Sequence, residues 1–247
     1  MADVHDLIRD FWDRDSQTYD DSASHSISDP LEAAAWRAAL RRALPNPGAK
    51  VLDAGAGTGA LSLLAAELGY IVTALDLSEG MLSKARAKAE ASDAELTFVV
   101  GPVADPPPGP FDAIMERHVV WTMPDPLTVL RVWRNIVVPG GRLVLFEGVW
   151  GGDTPVQQVK DRAAKALRGV LGVEDQHHAP YPADVLAQLP LSPMTSPAPL
   201  IDMVHQAGWS GVRVQRLRDV EWASMQRQPW PLGWLELRPR FALIADA

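Results

Sequence analysis

The pattern of hydrophobic and polar positions divides the chain into a helical beginning and a long alternating region. Apolar residues recur at helical spacing over residues 3–19, and a second helical stretch begins at Asp29-Pro30, where Asp29 is suited to cap the helix. From residue 50, short apolar segments alternate with amphipathic ones. The predicted strands are KVLDAG, YIVTALDL, AELTFVVG, FDAIMERHVVW and RLVLFEGVW. This alternation predicts a mostly parallel sheet with helices on both faces.

The helices between these strands carry recognisable start and stop signals. ALSLLAAELG ends at Gly69, and Ser78 is placed to cap SEGMLSKARAKAEAS. DPLTVLRVWRNIVVPGG is predicted to remain helical as far as its two glycines.

The regular alternation stops after Gly152. TPVQQVKDRAAKALRGVLG and APLIDMVHQAGW predict helices on either side of an irregular, proline-rich insertion. SGVRVQRLRDVEW and PRFALIADA predict two strands with no long helix between them. Because such strands pair most simply in opposite directions, we expect an antiparallel hairpin at the sheet edge.

Composition limits the classes of function that the chain can serve. Its 247 residues can bury a sizeable core, and its formal net charge of −8 argues against nucleic-acid or membrane-surface binding, which would need a basic face. Zero cysteines exclude disulfides and thiolate metal ligands, and the acidic N-terminus does not look like a signal peptide. We therefore expect a cytoplasmic monomer or homodimer with no nucleic-acid or membrane partner.

Three glycines stand between the first predicted strand and its helix, in Asp53-Ala-Gly55-Ala-Gly57-Thr-Gly59. Such a loop turns tightly and lets a ligand approach the main chain. Asp76 ends the next strand, about 20 residues on, where a carboxylate can accept hydrogen bonds from both ribose hydroxyls. Loop and aspartate together indicate an adenosine-containing ligand. A dinucleotide is the rival, although Asp53 would repel a pyrophosphate and attract an amino group.

Residues 50–148 resemble the class I S-adenosylmethionine-dependent methyltransferases, particularly the small-molecule group called type 11. VLDAGAGTG is similar to the family's first motif, ALDLSEGML to its ribose motif and VVPGGRLVLFEG to its fifth strand. The resemblance implies S-adenosylmethionine as cofactor, its methionine part in the glycine loop and its ribose on Asp76. The cofactor-binding residues it implies are Tyr19, Asp53, Gly55, Gly57, Gly59, Asp76, Leu77, Met81, Val103 and Arg117.

The same resemblance implies an α/β fold with a Rossmann-like, seven-stranded, mostly parallel sheet and a C-terminal antiparallel hairpin. Within a single domain of residues 1–247, we expect a helical lid over 1–45 and a cofactor-binding core over 46–150. Residues 151–198 would form a substrate-covering insertion after the fifth strand, and residues 199–247 the last helix and the hairpin.

One segment departs from the family pattern. After the third strand the family usually has Gly-Asp-Ala, whose aspartate holds the adenine amino group, whereas Gly101-Pro102-Val103 stands here. Pro102 offers neither a carboxylate nor an N–H. Adenine recognition is therefore expected to shift to the Val103 amide or to Asp105, with Met81 against the ring.

Candidate catalytic residues lie where the fourth and fifth strands end, since strand ends face the ligand in such folds. MERHVVW places Arg117, His118 and Trp121 there, and FEGVW places Glu147 and Trp150 there. His118 can act as a base, orient the substrate or make a structural hydrogen bond, and Glu147 has the same range of roles. In-line methyl transfer needs a base only when the nucleophile keeps its proton.

Two further segments contain candidates for contact with the ligand. DQHHAPYP, in the insertion, contains His178 as a candidate catalytic or substrate residue, with His177 and Tyr181 beside it. Adjacent histidines point in opposite directions on a strand, so no metal site is expected. Tyr19 and His25 are candidates for closing a lid over the cofactor.

The predicted reaction is methyl transfer to a small-molecule oxygen, nitrogen or carbon nucleophile, of the secondary-metabolite type. The tryptophans and the negative net charge favour a neutral or cationic, partly apolar substrate. An NAD(P)-dependent oxidoreductase and a non-catalytic S-adenosylmethionine-binding protein are the alternatives.

Overall fold

One sheet organises the computed structural model, which describes residues 4–21, 26–149, 154–172, 183–192 and 194–247. The strands of the described residues are β1 (Lys50–Ala54), β2 (Ile71–Asp76), β3 (Leu96–Val100), β4 (Phe111–Arg117), β5 (Val137–Gly148), β6 (Ser210–Arg216) and β7 (Arg240–Asp246). Their order across the sheet is β3-β2-β1-β4-β5-β7-β6, and β7 is antiparallel to both of its neighbours. The predicted seven-stranded sheet and its antiparallel C-terminal pair are confirmed.

Helices cover both faces of this sheet and one of its edges. They are α1 (Val4–Asp15), α2 (Pro30–Ala43), α3 (Ala60–Glu67), α4 (Glu79–Ala91), α5 (Pro126–Asn135), α6 (Pro155–Leu171), α7 (Ala183–Leu186), α8 (Ala198–Gln206), α9 (Arg218–Gln226) and α10 (Leu232–Glu236). The predicted caps are in place, because the Asp29 carboxylate accepts from the Leu31 and Glu32 amides and the Ser78 hydroxyl accepts from the Met81 amide. None of the helices in the described ranges combines the length and apolar character that crossing a bilayer requires.

Strand alternation sorts the core into two layers. Leu52, Ile114 and Leu145 lie on what we call the first face, against α5 and α8. Their neighbours along the same strands, Met115 and Phe146 among them, lie on the second face, against α2 and α3. Because successive strand residues point to opposite faces, a side chain at a strand end can be assigned to a face from its register.

Three predicted elements are wrong in extent. The strand expected over residues 111–121 ends at Arg117, and a short 3-10 helix, Val120–Thr122, follows it. The helix expected over residues 125–141 ends at Asn135, and β5 begins at Val137, which pairs with Phe111. The β-branched pair Val137-Val138 and Pro139 suit a strand better than a helix. The strand expected over residues 210–222 ends at Arg216, and α9 follows, so β6 and β7 are joined through two short helices.

The N-terminal helix lies near the strand ends rather than beside the sheet. Ile8, Phe11 and Trp12 of α1 pack in one apolar cluster with Val185 and Leu189, which follow α6 in the chain. The same cluster includes Leu77, directly after β2, and Trp121, in the turn that follows β4. Parts of the predicted lid and the predicted insertion therefore meet above the carboxyl ends of the strands.

Candidate active site

The glycine loop turns because three of its residues have left-handed backbones. Gly55, Gly57 and Gly59 have φ angles of +76°, +55° and +81°, which favour glycine. The space around the glycines differs, however. A Cβ on Gly55 would lie 2.3 Å from a Val119 methyl group, whereas a Cβ on Gly57 would have no neighbour within 4 Å. Gly55 therefore allows the turn after β4 to pack closely, and Gly57 borders open space.

Asp76 holds the two loops together from the end of β2. Its carboxylate accepts from the Gly57 amide at 2.7 Å and from the Ser78 amide at 2.9 Å, one bond to each oxygen. Burial raises the pKa of Asp76 to about 6 against the lowering effect of these amides. Each carboxylate oxygen has a second lone pair, so both can also accept from a ligand hydroxyl.

Asp53, near the end of β1, is a carboxylate that is more deeply buried than Asp76. It accepts from the Ser62 hydroxyl at 2.5 Å. Burial raises the pKa of Asp53 to about 6, opposed mainly by the Ser62 bond and by the charge of Arg117. A carboxylate kept in so dry a place is costly unless it meets a cation.

Asp53→Asn is expected to stabilise the ligand-free protein at pH 7 by about 1–3 kcal/mol, because the amide removes a buried charge and can still accept from Ser62. The pKa of Asp53 is higher in the folded state than in the unfolded state, so the folded state binds more protons between about pH 4 and pH 6. The contribution of Asp53 to the free energy of unfolding therefore falls as pH rises through this range.

Urea unfolding at pH 7 and pH 5 tests this expectation. The advantage of the variant should shrink by about 1–2 kcal/mol at pH 5, where the wild-type carboxyl is largely protonated. A variant that is less stable than wild type at both values would contradict the assignment.

A pocket beside the glycine loop contains several of the predicted cofactor residues. Its lining includes Tyr19, Asp53 and Arg117 as well as Gly55 and Gly57. Burial raises the pKa of the Tyr19 hydroxyl, and the charge of Arg117 opposes this rise. Tyr19 contacts Trp12 of α1 edge-on, with ring centroids 5.9 Å apart. Tyr19 precedes Gly55 by 36 positions in the sequence, and the fold brings it to the glycine loop.

Three predicted cofactor residues, Leu77, Met81 and Val103, are partly or fully buried. Met81 is buried in the first turn of α4, and Leu77 is partly buried against the α1 cluster. Val103 is buried in the first-face core, and its carbonyl accepts from the Trp133 indole at 2.8 Å. Asp105, by contrast, is exposed. Adenine contact by Met81 and by Val103 stays a prediction.

His118 and Glu147 lie side by side at the ends of β4 and β5. The His118 Nδ1 atom is 3.1 Å from Glu147 Oε2, and Glu147 is buried while the His118 side chain is 25% exposed. His118 has a φ of +63°, a conformation that few residues other than glycine and asparagine adopt. Burial, and next the charge of Glu116, raise the pKa of Glu147 well above its ordinary value.

Glu116 is a functional candidate that sequence reasoning missed. It is fully buried, and its Oε2 atom accepts from the Val119 amide at 2.6 Å and the Val120 amide at 3.3 Å. These bonds hold the turn that carries His118. Burial raises the pKa of Glu116 as well. Glu116 could have been identified from the sequence by its position, because it is an acidic residue directly after the apolar run of a central strand.

Polar contacts of the N-terminal segment were also missed. The Ser78 hydroxyl and the Gly80 amide donate to the Asp13 carboxylate at the start of α4. Asp20 accepts from the Thr58 hydroxyl at 2.7 Å, in the glycine loop, and pairs with Lys88 at 2.7 Å. Two carboxylates therefore attach the N-terminal segment to both sides of the pocket.

Several candidates lie outside the described residues. They are His25, Trp150, His177, His178 and Tyr181. Their expected roles stay predictions from the sequence.

The fold and the glycine loop can be compared with known proteins. Residues 52–145 match the family described as "Methyltransferase domain". This part of the chain is therefore similar in sequence to methyltransferase domains. The matched region runs from β1 to β5 and so contains the glycine loop, Asp76, His118 and the turn held by Glu116. The strand order with antiparallel β7 also differs from the 3-2-1-4-5-6 order of dinucleotide-binding sheets.

Curated relatives and solved structures resemble the methyltransferase domain to different extents. A ubiquinone biosynthesis O-methyltransferase of Xanthomonas campestris is 35% identical over 142 residues, which are 56% of this chain and 56% of the relative. The chain thus matches little more than half the length of this curated relative. Magnesium protoporphyrin IX methyltransferase of Synechocystis, solved with bound S-adenosylmethionine, is 17% identical with a TM-score of 0.59, covering 100% of this chain and 98% of that one.

The fold also serves other chemistry. The [4+2]-cyclase SpnF is 15% identical with a TM-score of 0.67, covering 99% of this chain and 97% of that one. The reaction must therefore be argued from the site and not from the fold.

Proposed function

We propose that this protein transfers a methyl group from S-adenosylmethionine to a small-molecule nucleophile. The observation that carries the proposal is a buried carboxylate, Asp53, and a partly buried one, Asp76, on either side of a glycine loop with open space at Gly57. A pyrophosphate would be repelled by this pair. An amino group near Asp53 and ribose hydroxyls at Asp76 would offset the cost of burying both charges.

The residues around the pocket fit the proposed cofactor. Asp53 would meet its amino group, Asp76 its ribose and Arg117 its carboxylate, while Tyr19 would close the pocket from the N-terminal side. When bound, the cofactor would supply a methyl group activated by a positive sulfur. The chain's own contribution would be to hold the nucleophile at attack distance, exclude water and receive a proton.

His118 is the proposed base. With Glu147 ionised, the imidazole donates from Nδ1 to that carboxylate, which leaves Nε2 as the acceptor for the nucleophile's proton. Glu116 is a positioning residue, since it fixes the turn in which the His118 backbone has a φ of +63°. An oxygen nucleophile suits this arrangement, because a hydroxyl keeps its proton until a base takes it. The O-methyltransferase relatives favour the same choice.

The proposed division into parts follows from the contacts near the site. The N-terminal segment over residues 1–45 would act as a lid, attached through Asp13 and Asp20. The segment over residues 151–198 would cover the substrate, with Val185 and Leu189 packed against Trp121 and α1. This apolar roof is consistent with a partly apolar substrate.

Calorimetry with S-adenosylhomocysteine and with NADH tests the cofactor assignment. We expect micromolar or tighter binding of the first compound and no measurable binding of the second. NADH binding alone would overturn the proposal in favour of an oxidoreductase. Binding of S-adenosylhomocysteine without methylation of any compound in a screen with labelled methyl donor would indicate a non-catalytic binding protein.

A matched pair of glycine variants separates the ligand from backbone strain. Gly57 and Gly140 both have positive φ angles and open space where a Cβ would lie, but Gly140 is at the opposite end of the sheet. Gly57→Ala should weaken S-adenosylhomocysteine binding about tenfold or more, whereas Gly140→Ala should not change it, although both carry a similar strain of about 1–2 kcal/mol. Equal binding by both variants would contradict the proposed place of the ligand.

A further inference from the structure

Arginine side chains gather at the ligand-facing end of the second face. Arg117, the last residue of β4, pairs with Phe146, which pairs with Ala242 of β7. Arg240 is two positions before Ala242 and so lies on the same face as Arg117. Arg227, at the end of α9, approaches the same place from the side. We call Arg117, Arg227 and Arg240 the arginine cluster.

Each of the two acidic side chains near Arg240 forms an ion pair with another arginine. Glu32 is buried and pairs with Arg227 at 2.7 Å. Glu221 is buried, pairs with Arg216 at 2.9 Å and accepts from the Arg240 backbone amide. The Arg240 guanidinium makes no hydrogen bond or ion pair with any residue in the described ranges.

The surroundings of Arg240 make this lack of a partner unusual. Burial lowers the pKa of its guanidinium; the charges of Glu32 and Glu221 oppose this effect, and those of Arg117 and Arg227 add to it. Yet the side chain retains some contact with solvent, since Arg240 is only partly buried. Its guanidinium therefore has neither a hydrogen-bonding partner among the described residues nor full access to solvent. Placing a cation there costs free energy unless an anion joins it.

Arg240 stands apart from the cofactor pocket. Arg117 lines that pocket, whereas Arg240 does not. β5 separates β4 from β7, so the two backbones are about 10 Å apart at a strand spacing of roughly 4.8 Å. Arg240 is paired with Gly148, the last residue of β5, and so lies at the same end of the sheet as Glu147, although the two side chains point to opposite faces.

We propose that Arg240 binds a carboxylate or phosphate group of the methyl acceptor. This inference rests on the proposed function, whose substrate it makes an anion. A guanidinium offers two parallel N–H donors that match the oxygens of either group. An acidic protein with a substrate of the same sign needs a local positive charge of this kind. The inference departs from the neutral or cationic substrate that composition alone favours.

Calorimetry on the protein saturated with S-adenosylhomocysteine tests the inference with simple probes. Benzoate and phenyl phosphate carry the two anionic groups, and benzamide is the neutral control. The variants are Arg240→Gln, Arg240→Lys and Arg213→Gln. Arg213 pairs with Asp246 at the far end of β7, so its variant has the same change in net charge away from the site. Thermal melts establish that each variant is folded.

We expect at least one of the two anions to bind wild type and Arg213→Gln equally, and Arg240→Gln at least fivefold more weakly. Arg240→Lys should bind with intermediate affinity, and benzamide should show no dependence on Arg240. The anion that shows the dependence identifies carboxylate or phosphate. If neither anion distinguishes Arg240→Gln from Arg213→Gln, the inference is wrong.

The affinity for S-adenosylhomocysteine itself keeps this result separate from the proposed function. It should be unchanged in Arg240→Gln. A tenfold loss there would assign Arg240 to the cofactor's carboxylate and overturn the inference, while leaving the proposed function intact. Failure of wild type to bind S-adenosylhomocysteine would instead contradict the proposed function.

Discussion

His118→Asn is expected to lower the rate of methyl transfer about 100-fold or more while leaving the affinity for S-adenosylhomocysteine within about twofold of wild type. Asparagine tolerates the left-handed backbone at this position, so the change removes the imidazole without adding strain. The rate is measured with the acceptor found by a labelled-methyl screen, and the affinity by calorimetry.

The exposed His205 provides a matched control, and His205→Asn should behave as wild type. Glu147→Gln should also lower the rate, because an amide cannot stabilise the imidazolium that forms when His118 takes a proton. A normal rate in His118→Asn would mean that positioning alone drives the reaction. A parallel loss of rate and affinity would make His118 structural.

The pH profile gives an independent reading of the same pair. Burial and Glu116 raise the pKa of Glu147, so at low pH this residue is protonated and donates to Nδ1, which makes Nε2 a donor. Raising the pH ionises Glu147 and restores Nε2 as the acceptor. We therefore expect the wild-type rate to rise with pH above the ordinary glutamate range, and the Glu147→Gln rate to lose that rise.

Asp76→Ala is expected to weaken S-adenosylhomocysteine binding by about 1–3 kcal/mol, or roughly 5- to 150-fold. The change removes the acceptor for two ribose hydroxyls. It also leaves the Gly57 and Ser78 amides without their carboxylate, so the loops on both sides of the pocket lose a shared anchor. Calorimetry at pH 7.5, where Asp76 is ionised, measures the effect.

Asp76→Asn and Asp93→Asn sharpen the interpretation of this result. The asparagine at position 76 keeps one acceptor oxygen and should bind with intermediate affinity. Asp93 has a φ of 53° after α4, where asparagine is equally suited, so its variant should bind normally. Wild-type affinity in Asp76→Ala would refute the ribose assignment.

The parts of the fold that were predictable are those with local signals. The glycine loop, the cap at Ser78 and the alternation of strands and helices from Lys50 to Gly148 each depend on neighbouring residues, and the structure contains them. α9 was misread because, in VRVQRLRDVEW, apolar residues continue through Leu217 and Val220 with no glycine or proline to separate the strand from a helix. The packing of Val220 in the second-face core makes the second half of that segment a helix.

Residues of the proposed site could be predicted from the sequence only where they stand at the end of a predicted strand. Asp76, His118 and Glu147 follow from strand positions. Asp13, Asp20 and Arg240 do not, because each reaches the site through packing between segments distant in the sequence. No periodicity in the sequence records which end of β7 faces the ligand. That depends on β7 being inserted in reverse between β5 and β6.

The reversed direction of β7 also determines where a chemical group can be attached to this protein without disturbing the proposed site. Arg240 begins the strand at the catalytic rim, and Ala247, just past its end, exchanges backbone hydrogen bonds with Gly140 and Gly141 on the opposite rim. A fluorophore, affinity tag or surface linker joined at Ala247 would therefore project from the back of the molecule. Immobilised in that way, the protein would present the carboxyl ends of its parallel strands to the solution.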